Sequence, residues 1–227
     1  SGLDSESITI GSPLAAITYN NDKRSRDYND IIRPSHGDLT WSLKYGQKPL
    51  PGGGRLSARE TWSRVFAGAI AQQVLHQFHP KLTTTAWVSS IGKIKMDSKN
   101  VESYSRETID SYPVRCPDHQ AAQKMMSSIE KASQKGDSLG GTIKAEILNP
   151  PISLGQPVFS KFQAKLAQAM LSIPAVKSFS IGSGEEASTM KGSEHNDELS
   201  VQDDKISYSS NNAGGLLGGI SDGRRIN

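Results

Sequence analysis

Arg55 stands in the run Gly52-Gly53-Gly54-Arg55-Leu56-Ser57-Ala58-Arg59-Glu60-Thr61, where three glycines meet the start of a helical pattern. His36 lies a short way upstream, with Arg33 and Lys44 on either side of it. Glycines let backbone N–H groups crowd round a ligand, and a helix N-terminus adds unpaired donors and the positive end of the helix dipole. A phosphate or another small anion is the natural guest. Arg55 and Arg59 supply fixed charge, and an imidazole is the side chain suited to proton transfer near neutrality.

The elements that must position these residues show in the apolar spacing. Ser57 with Glu60 three residues later reads as a capping box, and Trp62, Val65, Phe66, Ala69, Ile70 and Val74 recur at helical spacing behind it. Small residues at Ala67, Gly68, Ala69 and Ala71 would let another helix come close, so this helix is expected to be buried with a polar functional end. The apolar run 14–19 reads as a strand, followed by a charged loop at 23–27. Residues 82–96 read as one long strand bulged at Gly92, and 98–115 as irregular.

Asp118 is placed to cap a second helix carrying Ala122, Met125, Met126 and Ile129 inward and ending near Gly136. Ile143, Ala145 and Ile147 alternate as the inner face of a half-buried strand that Asn149-Pro150-Pro151 stops. A third helix is expected to turn Phe159, Phe162, Leu166, Ala169 and Met170 inward until Pro174, with a strand over 175–181. Residues 182–210 are polar and read as a mobile loop, and the glycine-rich segment 211–220 is suited to close backbone approach to a ligand or another chain. Mixed helices and antiparallel strands are implied.

Composition narrows the function. The chain has 227 residues, enough for a sizeable core, and 26 Lys+Arg against 23 Asp+Glu give a net charge of +3. That balance argues against nucleic acid as a partner, since such affinity needs many phosphate contacts. No apolar stretch reaches membrane-spanning length, and residues 1–10 lack the pattern of a signal peptide. The single cysteine, Cys116, excludes an intrachain disulfide and agrees with a reducing compartment, so a cytoplasmic chain is expected.

Three motifs carry less than they promise. Gly182-Ser183-Gly184-Glu185-Glu186-Ala187 fits the loose dinucleotide fingerprint, but the polar residues after it cannot make the helix that such a site requires. His76 and His79 have a spacing that could share a metal, yet no acidic or cysteine partner sits at a recognisable distance, so no metal site is expected. Ser35, His36 and Asp38 are too close in sequence for a hydrolase triad.

Taken together, the residues resemble the chorismate synthase family. The resemblance is carried by Arg33-Pro34-Ser35-His36-Gly37-Asp38 with Lys44-Tyr45-Gly46, the run 52–61, Cys116-Pro117-Asp118, Gly136-Asp137-Ser138, and Leu154-Gly155-Gln156-Pro157-Val158-Phe159. It continues through 170–177, Lys191-Gly192-Ser193 and 212–221, all in family order. The resemblance implies a layered α+β sandwich with helices between antiparallel sheets, assembling as a homotetramer. It implies a lyase that converts 5-enolpyruvylshikimate 3-phosphate into chorismate and phosphate by 1,4-elimination with reduced FMN, and in some members NADPH serves to reduce the flavin.

By the same resemblance His36 protonates reduced flavin, Arg33 and Arg59 grip the anionic substrate, and Arg55, Leu56, Ser57, Pro174, Ala175 and Gly218 contact the flavin. Gly37 stands where Ala is usual, Trp41 where Tyr is usual and Leu56 where Ser is usual. The family's upstream G-E-S-H-G and downstream K-P-T-S and R-H-D-P motifs are not in this sequence, so a single core domain over 1–227, incomplete at both ends, is expected. Two readings stay open: the flavin-dependent lyase, and a non-catalytic phosphate- or flavin-binding or assembly module of the same fold.

Overall fold

The structure, a computed structural model, describes residues 2–21, 31–50, 52, 54–97, 104–203 and 205–227. The charged loop expected at 23–27 and Gly53 of the glycine run lie outside the described residues. The chain divides into two compact units, Ser1–Ser63 and Arg64–Asn227.

In the first unit the only α-helix among the described residues before the boundary is α1 (Asp38–Tyr45), which the sequence reading did not anticipate. Asp38 lies in its first turn and Lys44 in its last, each on the favourable end of the helix dipole, and Gly46 closes it in the left-handed conformation with its amide on the Ser42 carbonyl. No strand forms over 14–19: the segment is exposed, and an apolar run becomes a strand only where a ladder receives it.

Helix α2 (Thr61–Phe78) spans the boundary. Its start differs from a capping box, since the Ser57 hydroxyl accepts from the Arg59 amide (3.3 Å) and opens a 3₁₀ turn, Ala58–Glu60, ahead of the α-helix. The apolar face is present but not buried. Val65 is 71% exposed, and no residue of α2 is buried.

The core of the second unit sits against β1 (Thr83–Ile91), which turns at Gly92 into β2 (Ile94–Lys95). The expected long strand is therefore a hairpin, and its bulge lies at Ser89, between the pairs Val88↔Ile143 and Ser90↔Thr142. β3 (Gly141–Leu148) completes an antiparallel sheet of order β2-β1-β3 and ends at the Asn149-Pro150-Pro151 stop. A short helix, α3 (Arg106–Asp110), occupies part of the stretch expected to be irregular, capped by the Ser105 hydroxyl on the Thr108 amide (3.1 Å).

Helix α4 (His119–Gln134) begins where expected, with Asp118 accepting from the Ala121 amide (3.0 Å). Ala121, Ala122 and Met125 pack with Trp87, Met96, Ile109 and Cys116 as the core. Met126 is only half-buried and Ile129 is exposed, so the inward face is narrower than expected. Cys116 is fully buried, and burial pushes its thiol pKa up, which leaves it packing rather than reacting.

The inner face expected of β3 is present only at Ile147, which is half-buried. Ile143 is 69% exposed and Ala145 is exposed, whereas Glu146 is buried. Burial of that carboxylate is compensated by the Thr85 hydroxyl at 3.1 Å and the Arg225 guanidinium at 3.7 Å.

Helix α5 (Phe162–Leu171) starts after Phe159, which is 95% exposed, and none of its residues is buried. Its C-terminal end is tied to α2 by Arg64, which donates to the Ser172 hydroxyl (2.8 Å) and carbonyl (3.0 Å). The segment 175–181 is irregular rather than a strand, because Pro174 and Ala175 turn the chain and it joins no ladder. Residues 182–210 carry regular elements in place of an unstructured loop: a 3₁₀ turn (Gly184–Thr189), α6 (Gly192–His195) and the hairpin β4 (Leu199–Gln202) with β5 (Lys205–Tyr208). A third hairpin follows, β6 (Leu216–Leu217) with β7 (Ile220–Ser221), and the segment after it is joined to β3 by the Ile147↔Ile226 bridge.

Candidate functional site

In the first unit Arg33, Pro34, Ser35 and His36 form a β-turn closed by the His36 amide donating to the Arg33 carbonyl (3.3 Å), with Ser35 at φ 59°. Proline second and a left-handed residue third is the type II pattern. His36 is exposed, and its Nδ1 lies 2.9 Å from the Pro34 carbonyl oxygen. A carbonyl only accepts, so Nδ1 carries the proton in this bond. Nε2 is the nitrogen left to exchange a proton with a ligand.

The end of the turn is locked by Asp38, which the sequence places in the Arg33–Asp38 motif but to which it assigns no role. Arg33 donates to its carboxylate with Nε (2.8 Å), Nη2 (2.9 Å) and the backbone amide (3.2 Å). The Asp38 side chain is 8% exposed, and the Arg33 guanidinium holds its carboxyl down at about 2. Arg33 is thus a fixed cation beside His36.

Gly37 joins this turn to the glycine-rich run. A methyl group added at Gly37 would stand 3.0 Å from Leu56 Cδ2 and 3.1 Å from Cδ1. Two of the three positions at which the sequence is expected to depart from the family pattern, Gly37 and Leu56, therefore come close together. Gly37 has an ordinary φ of −72°, so Gly37→Ala tests sterics alone. We expect it to cost about 1 kcal/mol in thermal melts, with Leu56→Ser recovering most of that in the double variant. Additive effects would show that the contact is not coupled.

Leu56 belongs to a 3₁₀ turn, Gly54–Leu56, in which Arg55 is exposed. Ser57 follows as the cap of the next turn, and Arg59 reaches back so that its Nη1 would lie 3.3 Å from a Cβ built on Gly52. A Cβ on Gly54 would meet nothing within 4 Å. In the first unit Leu56 thus stands against Gly37, next to the turn that carries Arg33 and His36, while Ser57, Arg59 and the exposed Arg55 lie on the turns next to Leu56 in sequence.

The remaining three site residues lie in the second unit, at opposite ends of α5. Pro174 and Ala175 form a turn past its C-terminus, with the Val176 amide on the Ile173 carbonyl (3.3 Å) and Ala175 at φ 67°. This repeats the proline-then-left-handed pattern of the His36 turn. Gly218 lies near the N-terminus of α5, where the Gly219 carbonyl accepts the Phe162 amide (2.8 Å). Ten residues of helix place the two groups about 15 Å apart along its axis, so the structure does not bring them together.

Gly218 and Gly219 are the two central residues of the β6–β7 turn, at φ 61° and 89°. A two-residue hairpin with both φ values positive matches the twist of its strands, and glycine suits both positions. Gly218 is exposed, and a Cβ there would meet nothing within 4 Å. The tip offers bare backbone to a flat ligand.

One buried acid in this unit was not picked out from the sequence. The donors round Asp197 hold its carboxyl at about 2, below the ordinary 3.8, despite the opposing effect of burial. A folded pKa lower than the unfolded one gives stability that is complete above about pH 4 and is lost as pH falls toward 2. Asp38 behaves likewise. Melting temperatures measured between pH 6 and 2.5 should fall mainly below pH 4, and an equal fall already complete at pH 5 would contradict this.

Among the described residues no group of three His, Cys, Asp or Glu could hold a metal, and no helix is long and apolar enough to cross a membrane. The class is therefore an α+β protein with antiparallel sheets and a polar, cationic candidate site carried on turns.

Comparison with known proteins gives the family. The family model described as chorismate synthase matches residues 1–227. The chain is 44% identical over 225 residues to a chorismate synthase of Synechococcus sp. (strain WH7803), covering 97% of this chain and 62% of the relative. It is 48% identical over 233 residues to one of Prochlorococcus marinus (strain MIT 9515), covering 100% of this chain and 63% of the relative. A crystal structure of chorismate synthase superposes with a TM-score of 0.71 at 31% identity, over 84% of this chain and 62% of that one. The chain belongs to the chorismate synthase family, and it spans a little over three fifths of the length of these relatives.

Proposed function

We propose that this chain carries the core of a phosphate-releasing lyase that converts 5-enolpyruvylshikimate 3-phosphate to chorismate by 1,4-elimination. The observation that carries the reading is the His36 turn, with the exposed imidazole bonded through Nδ1 to the Pro34 carbonyl and Arg33 fixed by Asp38, and with Gly37 against Leu56 of the turn bearing Arg55. An anionic substrate, an anionic leaving group and a phosphorylated cofactor all match that charge and those backbone donors.

In this reading Arg33 and Arg59 bind the substrate's anionic groups, the Asp38 carboxylate keeping Arg33 in one geometry. Arg55, Leu56 and Ser57, and likewise Pro174, Ala175 and Gly218, are the residues this reading assigns to contacts with reduced FMN. A Cβ would meet nothing within 4 Å at Gly54 or at Gly218, so the backbone is accessible at each. Reduced flavin supplies electron density that eases departure of the phosphate. His36 holds or moves a proton at Nε2, its ring oriented by the Pro34 carbonyl. A homotetramer in the cytoplasm, with neither nucleic acid nor membrane as a partner and NADPH as a flavin reductant, completes the proposal.

The test is anaerobic release of phosphate and chorismate from 5-enolpyruvylshikimate 3-phosphate with chemically reduced FMN. Turnover supports the lyase reading. A folded sample that binds FMN and substrate but makes no product points to the non-catalytic module.

A further inference from the structure

Asp197 links α6 to β4, and its side chain is 4% exposed. Four donors converge on the carboxylate. Oδ1 accepts the Ser210 hydroxyl (2.6 Å) and the Asn212 amide (2.7 Å), while Oδ2 accepts the Ala213 amide (3.1 Å) and Arg224 Nη1 (3.2 Å). Arg224 in turn donates from Nη1 to the Ser210 carbonyl (2.8 Å) and from Nε (2.9 Å) and Nη2 (2.7 Å) to Asp222. Its guanidinium lies 3.6 Å from the centroid of the Tyr208 ring.

These contacts join two stretches of chain on either side of the glycine hairpin. Asn212 and Ala213 precede β6, Arg224 follows β7, and the Asp222 amide donates to the Gly215 carbonyl (3.1 Å) between them. The only exposed glycine between these roots is Gly218, at the tip. A buried carboxylate with every donor satisfied by the two roots restrains both at once, because release of either leaves charge or amides unpaired.

We propose that Asp197 and Arg224 form a clasp that fixes the roots of the glycine hairpin and thereby sets the position of the Gly218 backbone toward FMN. Asp197 is a positioning residue in this account, acting through the hairpin. The inference rests on the proposed cofactor reading.

Asp197→Asn tests it, because the amide keeps one acceptor but turns donors toward Ala213 or Arg224. Two readouts are needed: amide hydrogen exchange of the ligand-free chain, and FMN affinity from quenching of flavin fluorescence. Exchange across 211–221 should accelerate by about tenfold or more while β1 and α4 stay protected, and the FMN dissociation constant should rise by about tenfold. Arg224→Lys, which keeps the charge and loses the fork, should shift both in the same direction by less, and it serves as the second variant if Asp197→Asn does not fold.

Unchanged exchange or unchanged FMN affinity in a folded variant overturns the clasp while the cofactor reading stands. A wild-type chain that binds no FMN overturns both. Faster exchange everywhere with FMN affinity intact would mark Asp197 as a stabiliser of the fold only, and that too overturns the proposal.

Discussion

His36→Ala should cut lyase turnover by about 10²-fold or more while leaving the melting temperature nearly unchanged. Both halves follow from the same geometry. The imidazole is exposed and makes a hydrogen bond to the Pro34 carbonyl within its own turn, so little folding energy resides in it. The turn itself is closed by the His36 amide and locked by Arg33 on Asp38, neither of which needs the ring. His36→Gln would retain a polar side chain without a group that exchanges protons near neutrality, and it should be nearly as slow. Phosphate release measured anaerobically under substrate saturation separates the outcomes: wild-type turnover in either variant removes His36 from the chemistry.

The candidate site residues could be picked out because their signals are local. Arg33, His36, Arg55 and Arg59 stand out by type and by proximity to a glycine run, and the ordered motifs named the family that the comparisons then established. Helix α4 was legible for the same reason, since Asp118, the apolar spacing and Gly136 all lie within its own span. Less legible was which face is covered, apart from Ala122 and Met125 of α4. Periodicity shows that α2 has an apolar face, but the partner of that face is not encoded in the helix. In β3 the alternation pointed to Ile143, whereas burial follows Glu146, whose partners Thr85 and Arg225 lie far away in sequence.

Residues that act through distant partners were missed in the same way. Asp197 meets Arg224 across 27 positions of sequence. Two-residue turns also defeat pattern reading: Gly92 and Lys93 look like a bulge in one long strand until the register shows a hairpin.

Gly182 shows how a glycine can serve packing although its motif hints at a nucleotide, and its replacement carries the largest expected effect on the fold. The dinucleotide-like run 182–187 leads into a 3₁₀ turn, with no long helix to receive a pyrophosphate. What Gly182 provides is backbone closeness. A Cβ there would lie 2.0 Å from the Asn212 carbonyl oxygen and 2.7 Å from the Gly214 amide nitrogen, and the residue sits at φ 62°. Both obstacles are main chain, so no side-chain rotation can relieve them. The neighbouring bonds cannot yield cheaply either, since the Gly182 amide donates to the Asn227 carbonyl (2.7 Å) and the Ser183 amide to the Asn212 carbonyl (2.8 Å). Gly182→Ala must therefore push residues 211–214 away or break these bonds, at a cost of about 3 kcal/mol or more. Gly192→Ala is the control, because a Cβ there meets nothing within 4 Å and its φ is not in the left-handed region. Urea unfolding should show a large loss for the first and almost none for the second. Equal, small losses would mean that segment 211–214 moves aside freely, and the close approach at Gly182 would then have no part in holding the glycine-rich segment in place.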